Sequence, residues 1–409
     1  TKGLRIKNSG AVVNADIENA VNIKAVQDGT LVLGEIKQES GGVTVESEGT
    51  IMLGREDDGS TEDVDESVTG SIDAKDDVTL HAEDDIIISG KLHVNATYND
   101  TASDNGTLQL HSNTGDIIQT TAEKGNNIVA ANVGIAAVGG DVKLDNQYNI
   151  IKNVDLQAVG GSLGLTVSNP YGFNVDMGGF TNKQGGDINL TNSDGSVNIT
   201  TEYIVDPEQK DPAKINGSLT VTAKDGTQAD NANITNNGTL NADENITFNA
   251  DDNVANKGAV NAGADVNFDA GNDVNNVSTV NAGGDVGFGA GNDIINNAIV
   301  DAGRNVNFNA AEDIYNDSTV NADETIEFIA VDGVINSDTV NGKDVIMQAI
   351  EQELENILAK DSVTLNGDRI HGQNITQNTE ADGDLIINTD SNSGSGPIES
   401  LVIDKIDAN

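Results

Sequence analysis

A 20-residue repeat runs through the chain from Asn231 to Ala349. Its six copies begin at Asn231, Asp251, Gly271, Gly291, Ala311 and Val331. All copies but the last have Phe at the eighteenth position, and this column contains Phe248, Phe268, Phe288, Phe308 and Phe328. A fixed and short repeat is typical of a solenoid, in which each copy buries its apolar face only against its neighbours. The repeat therefore constrains the architecture more than any single residue does.

The spacing within one copy favours strands over helices. In the copy that begins at Gly271, apolar or amide residues stand two apart in three short runs, which lie at 274–276, 280–282 and 286–290. A period of two is typical of a β-strand. Asn, Gly, Asp and Ser separate the runs, and these residues suit tight corners. The sequence thus predicts an all-β parallel β-helix, a solenoid with three strands and about 20 residues in each coil.

Apolar columns of the repeat predict the core of this β-helix. Val and Leu fill the tenth position, and Val and Ile fill the sixteenth, with Val280 and Val286 in the third copy. Such β-branched residues fit a buried pleated surface. The Phe column is expected to stack from coil to coil, which adds about 0.5–1.5 kcal/mol for each pair beyond the burial of the rings.

The sixth position is an unbroken column of asparagine. Its members are Asn236, Asn256, Asn276, Asn296, Asn316 and Asn336. Neighbouring coils are about 4.8 Å apart, so stacked amides can bond along the axis, as Asn ladders do in cross-β structures. We interpret this column as a structural ladder and not as a ligand site.

Looser copies of the same turn-then-strand pattern occur outside the regular block. They lie at 74–80, 139–144, 185–190 and 361–365. The pattern predicts a β-helical rod over residues 1–390, most regular at 231–349, with loop excursions near 55–67 and 203–214. Residues 391–397 are rich in Ser and Gly and read as a linker. Residues 398–409 form either a terminal strand or the start of another module.

The sixth copy is shorter than the others. It loses one residue after Asn341, so that Val345, Met347 and Ala349 take the positions of Ile326, Phe328 and Ala330. The stretch 351–360 has a helical composition, but its spacing favours a shortened coil. Leu354 and Asn356 match the Ile-x-Asn spacing, and Ala359, Val363 and Leu365 match the Ala-x-x-x-Val-x-Phe spacing.

The charge of the chain limits its partners. The chain has 67 acidic and 21 basic residues, which give a formal net charge of −46. This field repels nucleic acid and anionic membrane surfaces, so neither is a predicted partner. The sequence contains no apolar run long enough to cross a bilayer. It also contains no Cys, which excludes disulfides and thiolate metal sites.

Acidic corners suggest one metal, calcium. Asp273 and Asp293 lie in Gly-Asn-Asp turns, and Asp313 occupies the same position in the next copy. These turns are similar to those of calcium-binding repeat-in-toxin rolls, but that repeat has a period of nine residues. We therefore favour Asx-type corner turns and keep a structural calcium ion at these three residues as the alternative. The sequence predicts no other cofactor.

Catalytic motifs are not apparent. The four histidines, His81, His93, His111 and His371, are scattered without metal-ligand spacing. Carboxylate pairs mean little among 67 acidic residues, although β-helical glycan-cleaving enzymes use such pairs. The sequence therefore predicts a protein that is not an enzyme.

Recurring Ala-Gly-Gly-Asp-Val-x-Leu/Phe segments carry a family resemblance. These segments, of which residues 281–288 (Asn-Ala-Gly-Gly-Asp-Val-Gly-Phe) are an example, resemble the repeats of filamentous-haemagglutinin-type exoproteins, most strongly over residues 231–349. The resemblance implies a right-handed parallel β-helix, secretion through an outer-membrane partner transporter, a secreted or cell-surface location, and a role in adhesion.

Three functions stay open at this point. The first is a structural rod or adhesin whose loops, such as 98–105 and 203–214, attach to a cell-surface or matrix receptor, with glycans among the candidates. The second is an extracellular fibre or surface-layer component that self-associates. The third is a β-helical polysaccharide lyase or hydrolase.

Overall fold

The computed structural model describes residues 4–6, 12–17, 20–26, 28–54, 70–97, 101–102, 105–120, 123, 125, 127–201, 212–226, 231–377, 384–388 and 400–408. No helix occurs among these residues, and every regular element is a strand. The chain divides into two compact units, residues 1–216 with 222–230 and residues 217–221 with 231–409. The predicted linker and most of the two predicted loop excursions lie outside the described residues.

The first unit contains strands of three to ten residues, apart from one short hairpin. They are β1 (Leu4–Ile6), β2 (Val12–Ile17), β3 (Val21–Ala25), β4 (Thr30–Gln38), β5 (Val43–Ser47), β6 (Thr50–Leu53), β7 (Ser71–Ala74), β8 (Val78–Ala82), β9 (Ile86–Ile88), β10 (Lys91–Val94), β11 (Ala96–Thr97), β12 (Thr101–Ala102), β13 (Thr107–Ser112), β14 (Ile117–Gln119), β15 (Ile128–Ala137), β16 (Val142–Leu144), β17 (Ile150–Val159), β18 (Leu163–Val167), β19 (Phe173–Asp176), β20 (Ile188–Asn192), β21 (Val197–Thr200) and β22 (Ala213–Ile215). Strand β23 (Leu219–Ala223) falls on the boundary between the units.

The second unit contains the regular repeat and the long strands that follow it. Its strands are β24 (Ile234–Asn236), β25 (Leu240–Ala242), β26 (Ile246–Ala250), β27 (Val254–Asn256), β28 (Val260–Ala262), β29 (Val266–Ala270), β30 (Val274–Asn276), β31 (Val280–Ala282), β32 (Val286–Ala290), β33 (Ile294–Asn296), β34 (Val300–Ala302), β35 (Val306–Ala310), β36 (Ile314–Asn316), β37 (Val320–Ala322), β38 (Thr325–Ile329), β39 (Gly333–Gln348), β40 (Glu351–Asn366), β41 (Arg369–Gln377), β42 (Leu385–Asn388) and β43 (Ser400–Ala408).

Parallel pairing in the second unit joins each strand to the strand one coil further along. In the regular block, paired residues are 20 positions apart, as in Val254 with Val274 and Phe268 with Phe288. Three strands and three corners therefore make one coil, as the spacing predicts. This arrangement confirms the predicted parallel β-helix.

The core of the second unit consists of stacked side chains of one type. Val280 and Val286 are almost fully buried, and so are their equivalents in the neighbouring copies. The five phenyl rings stack with centroid distances of 5.3, 4.9, 4.7 and 4.7 Å. Their planes differ by only 5° to 14°. In the regular block, like residues thus lie above like residues because the parallel strands pair without a change of register.

The shortened sixth copy agrees with the sequence in most respects. Val345 pairs with Ile326, and residues 351–360 belong to strand β40, so this stretch is a coil of the β-helix and not a helix. Ala359, Val363 and Leu365 pair with Gly342, Val345 and Met347, as their spacing predicts.

One alignment in this copy is wrong. Leu354, and not Asn356, lies beside Asn336, while Asn356 pairs with Thr339. The shorter coil moves Leu354 into the interior position of the amide, so the ladder ends at Asn336. The side chain of Asn336 instead donates to the carbonyl oxygen of Asp338 at 2.6 Å.

Coils of the first unit vary in length. Val43 pairs with Val78, and Val78 pairs with Leu108, so equivalent residues are 35 and then 30 positions apart. Val142 pairs with Leu163, only 21 positions away. The antiparallel hairpin β11–β12 accounts for part of one such insertion. Coil length therefore varies in the first unit, and the strand register shifts between Val13 and Ala15 and between Ile135 and Ala136.

We predict that the substitution Phe288→Ala lowers the free energy of unfolding by about 3–5 kcal/mol, because a large buried ring is lost without collapse of the stack. Phe288 is 1% exposed and stacks on Phe268 and Phe308. Urea unfolding followed by circular dichroism measures the change.

The control for this prediction is Val277→Ala in the same coil. Val277 is 47% exposed, so its truncation is expected to change the free energy of unfolding by no more than about 0.5 kcal/mol. A loss below about 1 kcal/mol for Phe288→Ala would contradict burial of the Phe column.

Candidate functional site

The interior amide column forms a continuous chain of hydrogen bonds. Each Nδ2 donates to the Oδ1 of the next coil, with distances of 2.8, 2.8, 2.7, 2.7 and 2.6 Å from Asn236 to Asn336. All six side chains are at most 1% exposed. Both polar groups of each interior amide between the two ends are therefore used within the stack. This geometry agrees with a structural ladder.

A second amide ladder lies on the outer face, at the eleventh position of the repeat. Asn261 donates to Asn241 at 2.8 Å, and Asn281 donates to Asn261 at 2.7 Å. The direction of donation is opposite to that of the interior ladder. The first unit has a similar outer chain, formed by Asn132, Asn153, Asn174 and Asn198. Outer polar side chains thus also join coil to coil.

Aspartate before the third strand explains the Gly-Gly-Asp-Val signature. The Oδ1 of Asp265 accepts a hydrogen bond at 2.8 Å from the backbone N–H of Asp285, which is one coil further on. Asp285 in turn accepts from the N–H of Asn305 at 3.0 Å. In the first unit, Asp116 accepts from the N–H of Asp141 at 2.8 Å. These side chains satisfy backbone donors at corners, where the ladder of strand hydrogen bonds is interrupted.

The three calcium candidates form a corner column of the same kind. Asp273 accepts from the N–H of Asp293 at 3.2 Å, and Asp293 accepts from the N–H of Asp313 at 3.0 Å. Within the described residues, no group of three or more His, Asp or Glu side chains is placed to hold a metal ion. Hydrogen bonds to the next coil account for this column, and a structural calcium ion there stays a prediction.

Arg304 shows what these carboxylates can bind. Its Nη2 lies 2.9 Å from Asp285 Oδ2 and 3.2 Å from Asp265 Oδ1, so one guanidinium contacts carboxylates on two earlier coils. All three side chains are about half exposed. A pair in this environment contributes little stability, but a single Nη2 of the guanidinium lies within reach of both carboxylates.

A groove opens where the column of Asn and Asp at the third position of the repeat ends. Gly333 occupies the position held by Asp313 in the preceding coil. A Cβ at Gly333 would lie 2.9 Å from Asp313 Oδ1, so the absent side chain leaves room for that carboxylate. We call the resulting cavity of about 480 Å³ the Gly333 groove; it is lined by Asp313, Tyr315, Asp332, Gly333, Val334, Ile335, Ile350, Glu351 and Glu353.

The groove combines an aromatic ring, apolar side chains and carboxylates. Tyr315, Ile335 and Glu353 follow one another on adjacent strands, since Tyr315 pairs with Ile335 and Ile335 pairs with Glu353. Ile350 is 42% exposed beside them. Glu351 pairs with Arg369. In the part of the chain that the structure describes, the carboxylates of Asp332 and Glu353 form no ion pair.

Tyr315 is polarised by its acidic neighbours. Its hydroxyl donates to Asp313 Oδ2 at 3.0 Å. This hydrogen bond, together with burial and the charges of Asp313 and Asp293, raises the pKa of Tyr315 above its ordinary value. The phenol of Tyr315 therefore stays neutral, and its hydroxyl remains a hydrogen-bond donor at one wall of the groove.

Two of the four histidines are not scattered, which corrects the sequence interpretation. His81 and His111 pair on neighbouring strands, and their ring centroids are 4.5 Å apart. Glu46 lies next to His81 on the other side, and a hydrogen bond from Lys24 lowers the pKa of Glu46. The coil between the two histidines has 30 residues instead of 20, so their separation in the sequence gave no signal of contact.

The predicted recognition loops are only partly described. Within 98–105 the structure describes 101–102 and 105, and within 203–214 it describes 212–214. Among the described residues, the Gly333 groove and the polar outer columns around it provide one candidate surface.

Comparison of the chain with protein-family models, with curated proteins and with solved structures gave no match. Among the described residues, no helix has the length and apolar character needed to span a membrane.

We predict that Asn276→Ala destabilises the protein by about 2–5 kcal/mol, because Asn256 Nδ2 and Asn296 Oδ1 both lose a buried partner. Asn276 is fully buried and bonds to both of these neighbours. Equilibrium urea unfolding tests this expectation.

Asn281→Ala is the matched control, since Asn281 belongs to the outer ladder of the same coil. Water can replace its hydrogen bonds, so we expect a loss of at most about 1 kcal/mol. Equal losses for the two variants would show that the interior ladder is not a buried structural network.

We also predict that Asp313→Asn lowers the pKa of Tyr315 towards its ordinary value of 10.0, because the carboxylate that favours the neutral phenol is removed. The pKa is measured from tyrosinate absorbance, as the difference between titrations with and without the additional substitution Tyr315→Phe. Asp301→Asn, on another strand of the preceding coil, is the control and should leave this difference titration unchanged. An unchanged or higher pKa in Asp313→Asn would contradict the prediction.

Proposed function

We propose that this protein is a non-catalytic, extracellular structural rod that attaches to a surface or matrix partner through side chains on its outer face. The observation that carries the proposal is the use of polar side chains between coils. Asn276, Asn281 and Asp285 all bond to the equivalent residue of a neighbouring coil. Such a framework supports a stiff stack of equivalent coils on which binding groups can be displayed.

Secretion and adhesion are supported by the resemblance of residues 281–288 to exoprotein repeats, and by the charge of the chain. A net charge of −46 keeps an extended protein soluble and repels anionic surfaces. Under this proposal an outer-membrane transporter exports the chain, and a receptor or matrix component binds it. Glycans remain among the candidate ligands.

A fibre is the second candidate function. Parallel strands at the end of a β-helix carry unpaired backbone groups, which favour end-to-end association unless they are covered. A glycan-cleaving enzyme is the third, since β-helices of that kind align carboxylates along one face. In the Asp265 and Asp273 columns, however, carboxylate oxygens accept backbone hydrogen bonds from the next coil.

Negative-stain electron microscopy of the purified chain tests the proposal. We expect single elongated particles of uniform length, together with binding to a matrix-protein or glycan array. Ordered polymers would favour the fibre instead. Compact round particles would contradict an elongated structural protein, and release of reducing sugar from a polysaccharide panel would contradict a non-catalytic one.

A further inference from the structure

We propose that the Gly333 groove binds an arginine side chain from a basic segment of a partner protein. The proposal deepens the attachment function proposed above, because it names the chemistry of one partner. It depends on three features of the groove, which are its shape, the chemistry of its lining and the way in which this chain already binds its own arginines.

The shape of the groove results from Gly333, which interrupts the column of Asn and Asp at the third position of the repeat. Preceding coils place Asn or Asp at the position of Gly333, and those side chains bond to the next coil, as Asp293 does to the N–H of Asp313. Gly333 supplies no side chain, so the floor is open between Tyr315 on one coil and Glu353 two coils later. A cavity of about 480 Å³ has room for one long side chain and its backbone.

The lining matches the two parts of an arginine side chain. Ile335, Ile350 and the ring of Tyr315 can cover the aliphatic stem. The ring face also attracts a guanidinium. Asp332 and Glu353 supply carboxylates that form no ion pair with any described cation. An apolar wall next to unpaired carboxylates is complementary to a cation that carries an apolar stem.

The chain itself places guanidinium groups beside its carboxylates in two places. Arg304 contacts Asp265 and Asp285 at one corner column, and Arg369 contacts Glu351 at the edge of the groove. A planar guanidinium can donate to two carboxylates at once, whereas an ammonium acts as a point charge. The charge of −46 attracts basic partners over a longer range and increases the rate of encounter.

The experiment measures binding of a fluorescein-labelled peptide by fluorescence anisotropy at physiological salt. The peptide has one central arginine between two leucines, with glycine and serine at both ends. We expect it to bind at least about tenfold more tightly than the same peptide with citrulline. The lysine peptide is expected to bind more weakly than the arginine peptide.

Variants test whether binding takes place in the groove. Gly333→Asn restores the residue type of Asn253 and fills the floor, so it should weaken binding of the arginine peptide at least about tenfold. The double variant Asp332→Asn with Glu353→Gln should also weaken binding of the arginine peptide at least about tenfold, without adding volume to the groove.

The charge-matched control for this double variant is Asp243→Asn with Asp269→Asn, at two exposed carboxylates on earlier coils. This control should change the affinity for the arginine peptide less than about twofold.

Several results would overturn the proposal. One is equal binding of the citrulline peptide, and another is equal weakening by the charge-matched control, which would reflect only the general field. Binding of a glucosamine oligomer that depends on Tyr315, without binding of the arginine peptide, would assign the groove to a saccharide. Particles that stay elongated while the peptide fails to bind would reject this inference and leave the proposed structural function intact.

Discussion

Parallel pairing without a change of register is the constraint on which the regular block of the second unit depends. It places the core residues of each coil directly above residues of the same type, at a spacing of about 4.8 Å. Phe288 therefore lies between Phe268 and Phe308, and the amides of the interior column lie in one line. Stacking of like residues stabilises phenyl rings and amides, because a ring can stack on a ring and an amide carries both a donor and an acceptor. The strength of the structure comes from repeating these two favourable contacts.

The same constraint is unfavourable for carboxylates, because like charges on neighbouring strands repel. The column that contains Asp265 and Asp285 shows how the repulsion is reduced. Each Oδ1 accepts a backbone hydrogen bond from the next coil, and Arg304 contacts both carboxylates. The column also has uncharged members, Asn245 and Asn305, on either side of the two aspartates. Acidic residues are thus tolerated at corners where they act as acceptors.

The sequence was sufficient to predict the fold of the repeat because a coil of constant length converts a sequence period directly into a contact. Phe268 and Phe288 are 20 positions apart, and they touch. The same argument fails where coil length changes. His81 and His111 touch across a coil of 30 residues, and Asn356 lies beside Thr339 because the preceding coil is short. The Gly333 groove was also missed, since it results from an absent side chain and from the walls of two other coils, which no local pattern reports.

The position of the groove follows from the same physics. In the Asp265 and Asp273 columns of the regular block, corner carboxylates accept hydrogen bonds from the next coil, so these groups are less available to a partner. A departure from the repeat removes such a contact and leaves its partners available. Gly333 lies in the shortened copy, where Val331 is exposed and the amide ladder ends at Asn336, and the exposed Ile350 follows this copy directly. The coils on the N-terminal side of Gly333 retain their phenyl stack and amide ladder. The loss of the corner contact at Gly333 is therefore tolerated. A repeat protein of this kind can therefore acquire a binding site most readily where its repeat lapses, at the boundary of a rigid and regular block.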